Sequence, residues 1–148
     1  MARDLDDVAR FVGETQGLAS LALLRDDGSV QVTLVNAGVL THPVTGTRVV
    51  GLVALGGSRK LGLLRANPRA TVSWRNGWDW LSVEGTVELA GPDDALAGVD
   101  DVPRLLRDVF TGAGGTHDDW PTYDRVMAEE RRCAVLVTPV RIYGNPGT

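Results

Sequence analysis

One stretch gathers the residue types best suited to binding chemistry: Leu55-Gly-Gly-Ser-Arg-Lys-Leu-Gly-Leu-Leu-Arg-Ala-Asn-Pro-Arg69. Two glycines break an apolar run, Ser58 stands at the expected start of a helix, and Arg59 and Lys60 fill its first turn. A helix start offers unpaired backbone N–H groups and a partial positive charge. Ser58 can cap that start, and the two cations add full charges. Together these make an anion site of the kind that holds phosphate. Acidic residues are the usual choice in a first turn, so two cations there cost helix stability unless an anion compensates them. The glycine and lysine spacing is neither that of a P-loop nor that of a dinucleotide fingerprint.

Other reactive side chains are sparse. The two histidines, His42 and His117, are far apart in sequence, and the one cysteine, Cys133, leads an Ala-Val-Leu-Val run. These do not make a metal site, and no Ser-His-Asp order is evident. His42 precedes Pro43 in a turn and is expected to be exposed. His117 begins a helix, where it caps or faces solvent. Cys133 reads as a buried strand residue. Trp74, Trp78 and Trp80 lie close together, and Asn76-Gly77 breaks the strand between them. They read either as packing or as an aromatic wall beside a ligand. The Asp93-Asp94 and Asp100-Asp101 pairs read as solvated loop and helix-start charges.

The elements that must carry the elbow follow from periodicity. Residues 4–16 read as an amphipathic helix through Leu5, Val8, Phe11 and Val12, with Gly17 as C-cap. Strands are expected over 18–24 and 30–35, joined by an Asp27-Gly28 turn, then over 48–55 after a turn at 41–46. The helix from Arg59 to Ala66 stops at Asn67-Pro68. Strands follow over 70–74 and 80–89, and helices over 102–110 and 118–130, the second with Trp120, Tyr123, Val126 and Met127 on one stripe. Residues 133–142 form the last strand. The expected fold is a single domain over 1–148, mainly β, with about six antiparallel strands in a small barrel and short helices inserted late.

With 148 residues and 43% apolar content the chain can bury one core. A net charge of −4 disfavours nucleic acid as the main partner. No apolar run is long enough to span a bilayer, and the charged start lacks a signal segment, so the cytoplasm is the expected location.

Gly57-Ser58-Arg59-Lys60 followed by Leu64-Arg65-x-Asn67-Pro68-Arg69 resembles the phosphate turn of the pyridoxamine 5′-phosphate oxidase superfamily of split β-barrel flavin and deazaflavin proteins. Asp27-Gly28 with Gln31-Val-Thr-Leu-Val35 resembles the hairpin that lines the flavin ring there, and 80–89 resembles the strand closing the motif region. His117-Asp-Asp-Trp-Pro-Thr-Tyr123 and Tyr143-Gly-Asn-Pro146 resemble the branch that uses the deazaflavin coenzyme F420. The resemblance runs from about residue 5 to 146. It implies that Ser58, Arg59 and Lys60 hold the cofactor phosphate, that Val53 and Ala54 contact the cofactor through their backbone, and that Gln31 and Thr33 line the ring. Trp80 falls where FMN oxidases carry a polar contact and could stack on a deazaflavin. The ending Val140-Arg-Ile-Tyr-Gly-Asn-Pro146 departs from the Arg-Leu-x-Pro-like ending that reads pyridoxamine phosphate. The implied activity is hydride transfer from reduced F420 to a small organic substrate in a homodimer. The alternatives are an FMN-dependent oxidase or reductase, or a non-enzymatic carrier of F420 or a tetrapyrrole. No obligate catalytic side chain is implied. The helices between residues 100 and 130 would shape the substrate pocket.

Overall fold

The computed structural model describes residues 3–145, so Pro146 of the C-terminal motif lies outside the described residues. The chain runs α1 (Leu5–Thr15), β1 (Leu18–Leu24), β2 (Val30–Asn36), β3 (Gly38–Thr41), β4 (Arg48–Ala54), α2 (Arg59–Ala66), β5 (Arg69–Asn76), β6 (Asp79–Ala90), α3 (Val102–Gly112), α4 (Trp120–Glu129) and β7 (Cys133–Gly144). The strands form one antiparallel sheet in the order β2-β1-β5-β6-β7-β4-β3. Seven strands stand where the sequence pointed to about six. The extra one is β3, which falls between the strand expected over 30–35 and the turn expected at 41–46 and had no assignment.

The separation of β3 from β2 has a physical cause. β3 pairs with β4 with Gly38 opposite Gly51. Continued backwards, this register would set Asn36 opposite Val53. It does not continue, because both polar groups of Ala37 are taken. Its N–H donates to Gly17 O at 2.9 Å, and its carbonyl accepts from the Trp74 indole Nε1 at 3.1 Å. With its N–H committed to Gly17 and its carbonyl drawn to the Trp74 indole, Ala37 is held out of line with β4. The chain bends at Ala37, and β2 pairs instead with β1, with Leu18 opposite Asn36 and Leu24 opposite Val30. β2 and β4 therefore diverge from a vertex at Gly38 and Gly51, and that divergence is the split in the barrel.

The vertex is packed backbone to backbone. A Cβ on Gly38 would stand 1.9 Å from Gly112 O, and one on Gly17 2.2 Å from Ala113 O. Only glycine admits the C-terminus of α3 so close to the start of β1 and β3.

Alternation along β4 separates two cores. Val50, Leu52 and Ala54 face the barrel interior with Phe11, Leu21, Trp74 and Leu81, and Leu61 and Leu64 of α2 join them there. Val49 and Val53 face outward, under Leu105, Leu106 and Val109 of α3 and Tyr123 of α4. The outward face of β2 is uncovered: Val30, Val32 and Leu34 are 51%, 62% and 70% exposed.

Three of the four helices are capped by aspartate. Asp4 accepts from the N–H groups of Asp6 and Asp7, Asp101 from Arg104, and Asp119 from Thr122. The C-cap of α1 is Gln16, in the left-handed region at φ 58°, with Gly17 following.

His42 corrects an expectation. It is 2% exposed. Its Nε2 meets Glu88 Oε1 at 2.9 Å, and its Nδ1 accepts from the N–H groups of Val44 and Thr45 at 3.1 and 3.2 Å. The adjacent proline does mark a turn, but the ring folds back to hold that turn together. The side chain that holds its Nε2 comes from β6, 46 residues away.

Candidate functional site

The elbow between β4 and α2 takes its shape from its two glycines. Ser58 N–H donates to Leu55 O at 3.2 Å, closing a turn whose third residue, Gly57, sits at φ 73°. That conformation favours glycine. Gly56 is required for a different reason. Its N–H donates to Glu130 O at 3.1 Å, and a Cβ there would lie 2.5 Å from Arg131 O. The elbow is thus pinned against the residues that enter β7.

Ser58 occupies the N-cap position of α2 with extended backbone, φ −71° and ψ 158°. Contrary to the expectation from sequence, its side chain makes no cap hydrogen bond. Its Oγ is buried and has no hydrogen-bond partner. No acidic residue stands in the first turn of α2. Arg59 and Lys60 form no ion pair or hydrogen bond with any described residue. Lys60 is the only lysine in the chain. A hydroxyl, two cations and the N–H groups of a helix start are all left without an internal partner at one elbow.

A second orphan lies on β2. Thr33 Oγ1 is buried without a partner. Gln31, Thr33 and Val35 are half-buried and stand opposite Leu23, Leu21 and Ala19 of β1, on the barrel side of β2. Across the seam, β4 pairs with β7 through Ala54, but β3 reaches no further than Gly51. The β2-facing edge of Leu52, Val53 and Ala54 therefore carries no ladder partner. Val53 turns its side chain outward and Ala54 turns inward, so what they share along the seam is backbone.

The residues singled out in the sequence thus fall in two places. Ser58, Arg59 and Lys60 stand at the elbow, and Gln31, Thr33, Val53 and Ala54 line the two sides of the seam that leads to it. Trp80 stands apart. It lies at the start of β6, whereas the elbow meets the row of Ala54, Cys133 and Ala134 that pairs with Ala90 at the far end. Its indole packs edge-on against Tyr143, ring centroids 6.1 Å apart, on the same outward face as Leu34. Trp74 is core, and Trp78 is 93% exposed.

The helices between residues 100 and 130, expected to shape a pocket, border a cavity of about 510 Å³ on the outer side of β4. It is bordered by Gln16, Asn36, Val53, Phe110, Tyr123, Met127 and Arg132 among others. Tyr123 and Met127 were on the apolar stripe of α4. Asn36, Gln16 and Arg132 carried no sequence signal, since each closes or precedes an element and meets the others only through the bend at Ala37. The Tyr123 hydroxyl donates to Leu106 O at 3.2 Å, and burial pushes its pKa up. It is tied to α3 and is not a free proton donor.

Cys133 is buried beside the elbow. Burial first, then the nearby Asp94 carboxylate, push its thiol up to about 12. A thiol so placed is inert. Asp94 and Asp93, rather than being free loop charges, pair with Arg65 and Arg131. Among the described residues no group of three or more His, Cys, Asp or Glu side chains could hold a metal ion, and no helix is long and apolar enough to cross a membrane.

No family model matches the sequence, and the search of curated proteins finds no match. Solved structures do match in shape. A conserved hypothetical protein, Rv2991 from Mycobacterium tuberculosis, superposes with a TM-score of 0.67 at 21% identity, over 97% of this chain and 85% of its own. An F420 reductase gives 0.62 at 19% identity, over 97% and 98%. A heme binding protein from Mycobacterium smegmatis gives 0.64 at 14% identity over the whole chain, which spans 57% of that protein. At these identities the likeness is one of architecture, and with the divergence of β2 from β4 it establishes the chain as a split β-barrel.

Proposed function

We propose that the protein is an oxidoreductase that holds coenzyme F420 across the seam, with the phosphate at the elbow, and reduces a small organic molecule. The observation that carries this reading is the buried, unpartnered hydroxyl of Ser58 beside two uncompensated cations. Burying a hydroxyl without a partner costs about 1–3 kcal/mol, and an anion bound at the elbow would remove that cost. The residues present fit such a group. Ser58 Oγ, the Lys60 ammonium, the Arg59 guanidinium and the first N–H groups of α2 are all donors, as a phosphate requires. The Thr33 hydroxyl and the open backbone edge of Leu52 to Ala54 offer neutral polar contacts along the seam, suited to the carbonyl and N–H rim of a flavin-type ring. When bound and reduced, that ring supplies the hydride. The chain's part is to grip the tail, orient the ring and exclude water. The solved F420 reductase of the same fold adds support for a deazaflavin.

The uncovered apolar strip of Val30, Val32 and Leu34 supports a homodimer, since such a strip on an edge strand invites a partner. Trp80 lies on that face, so any contribution it makes to a cofactor pocket would come across the interface.

The test is a side-by-side titration of the apo protein with F420 and FMN. Tighter binding of F420 is expected, and preference for FMN would move the protein to the flavin branch. Lys60→Ala should weaken F420 binding by about 1.5–3 kcal/mol, from about tenfold to somewhat over a hundredfold in Kd. Unchanged affinity would remove Lys60 from the phosphate site.

A further inference from the structure

The cavity outside β4 has a fixed relation to the seam. Arg132 immediately precedes Cys133, the Cα partner of Ala54, and so marks the elbow side of the cavity. Asn36 marks the vertex side, where β2 leaves the course that would have set it opposite Val53. With the phosphate at the elbow, as proposed above, a ring laid along the seam toward that vertex would lie beside the cavity.

The cavity has the composition of a site for a small flat molecule. Its volume of about 510 Å³ falls within the range of small-molecule pockets. Phe110 and Tyr123, with ring centroids 5.1 Å apart, and the Met127 thioether supply an apolar wall. The Tyr123 hydroxyl is committed to Leu106, so the wall presents ring surface rather than donors. The polar groups stand at the two ends. Arg132 uses Nε on Glu130 Oε1 at 2.9 Å, which leaves its terminal nitrogens without a described partner. Asn36 spends its amide N–H on Gln16 O at 3.0 Å, which leaves its side-chain oxygen open.

We propose that this cavity is the acceptor subsite and that it binds a planar, largely apolar organic molecule with one carbonyl or carboxylate oxygen directed at Arg132. The acceptor role rests on the function proposed above; the binding of such a molecule does not.

The experiment is amide-resolved NMR of the intact chain titrated with 2-naphthoate and with its neutral analogue 2-naphthamide. Saturable shifts are expected at Asn36, Val53, Gly114 and Gly115, with the amides of Arg59 and Lys60 unmoved. Arg132→Gln should weaken naphthoate about five- to tenfold and leave naphthamide unchanged. Met127→Trp, which fills the cavity, should weaken both by more than about tenfold. The spectra report whether each variant is folded, and F420 affinity, measured separately, should be the same in both variants as in the parent. Shifts confined to other surfaces, or equal loss of naphthoate and naphthamide in Arg132→Gln, overturn the proposal. Loss of F420 binding in folded Met127→Trp gives the cavity to the ring and overturns it too. A parent chain that binds naphthoate in the cavity but neither coenzyme overturns the acceptor role and, separately, the proposed function.

Discussion

Replacing Ser58 by alanine should stabilise the protein without cofactor and weaken it as a binder. An N-cap serine ordinarily contributes about 0.5–2 kcal/mol through its bond to the first-turn N–H groups. Ser58 makes no such bond, so that loss does not apply. What alanine removes is a hydroxyl buried without a partner. The penalty for such a group is about 1–3 kcal/mol, and the low end applies to a half-buried residue whose surroundings can relax. A gain of about 1 kcal/mol corresponds to a rise of about 2–4 °C in Tm for a chain of this size. On the proposed function, the same change takes a donor from the phosphate site and should raise the Kd for F420 about tenfold or more. Urea unfolding of the apo protein and a fluorescence titration read the two effects independently. Asp101→Ala is the control, because Asp101 does cap α3 through the Arg104 N–H at 3.0 Å. It should lose about 0.5–2 kcal/mol and leave F420 affinity alone. If Ser58→Ala loses stability as Asp101→Ala does, Ser58 is an ordinary cap and its hydroxyl is not held in reserve for a ligand.

Two further outcomes follow from packing and charge. Gly38→Ala should destabilise by about 3 kcal/mol or more, since the new methyl meets backbone at 1.9 Å, whereas Gly13→Ala in α1, with nothing within 4 Å, should stabilise by about 0.5–1 kcal/mol; equal effects in thermal melts would refute the close packing of α3 on the vertex. Cys133, raised to about 12, should react with a thiol-specific disulfide reagent at pH 8 only as fast as the protein opens, and adding urea should accelerate it steeply; rapid labelling of the native protein would show that the thiolate is accessible.

Much of the frame could be read from local sequence, and most of what opens the site could not. β1 and α2 fall where expected, β1 because its alternation is clean and α2 because Asn67-Pro68 ends it. The elbow was visible because its glycines and cations are neighbours in the chain. The seam was not, because it depends on a tryptophan on β5 donating to a carbonyl 37 residues earlier. His42 was misread for the same kind of reason: its buried ring is bonded to a glutamate on a distant strand. The idle state of the Ser58 hydroxyl is likewise a tertiary fact, since the residue type and position alone describe a good cap. Trp80 was placed with the cofactor by likeness, and its remove from the elbow becomes visible only once β6 is laid out in register with β7.

The bend at Ala37 also bears on which part of the sheet is free to vary. Among the described residues no backbone hydrogen bond ties β2 to β4, so spreading these strands breaks no rung of the sheet. The closely packed glycine junction fixes one end of the seam, and the far end is bounded by side chains. Side chains along that far end can therefore change without disturbing the pairing of the rest of the sheet.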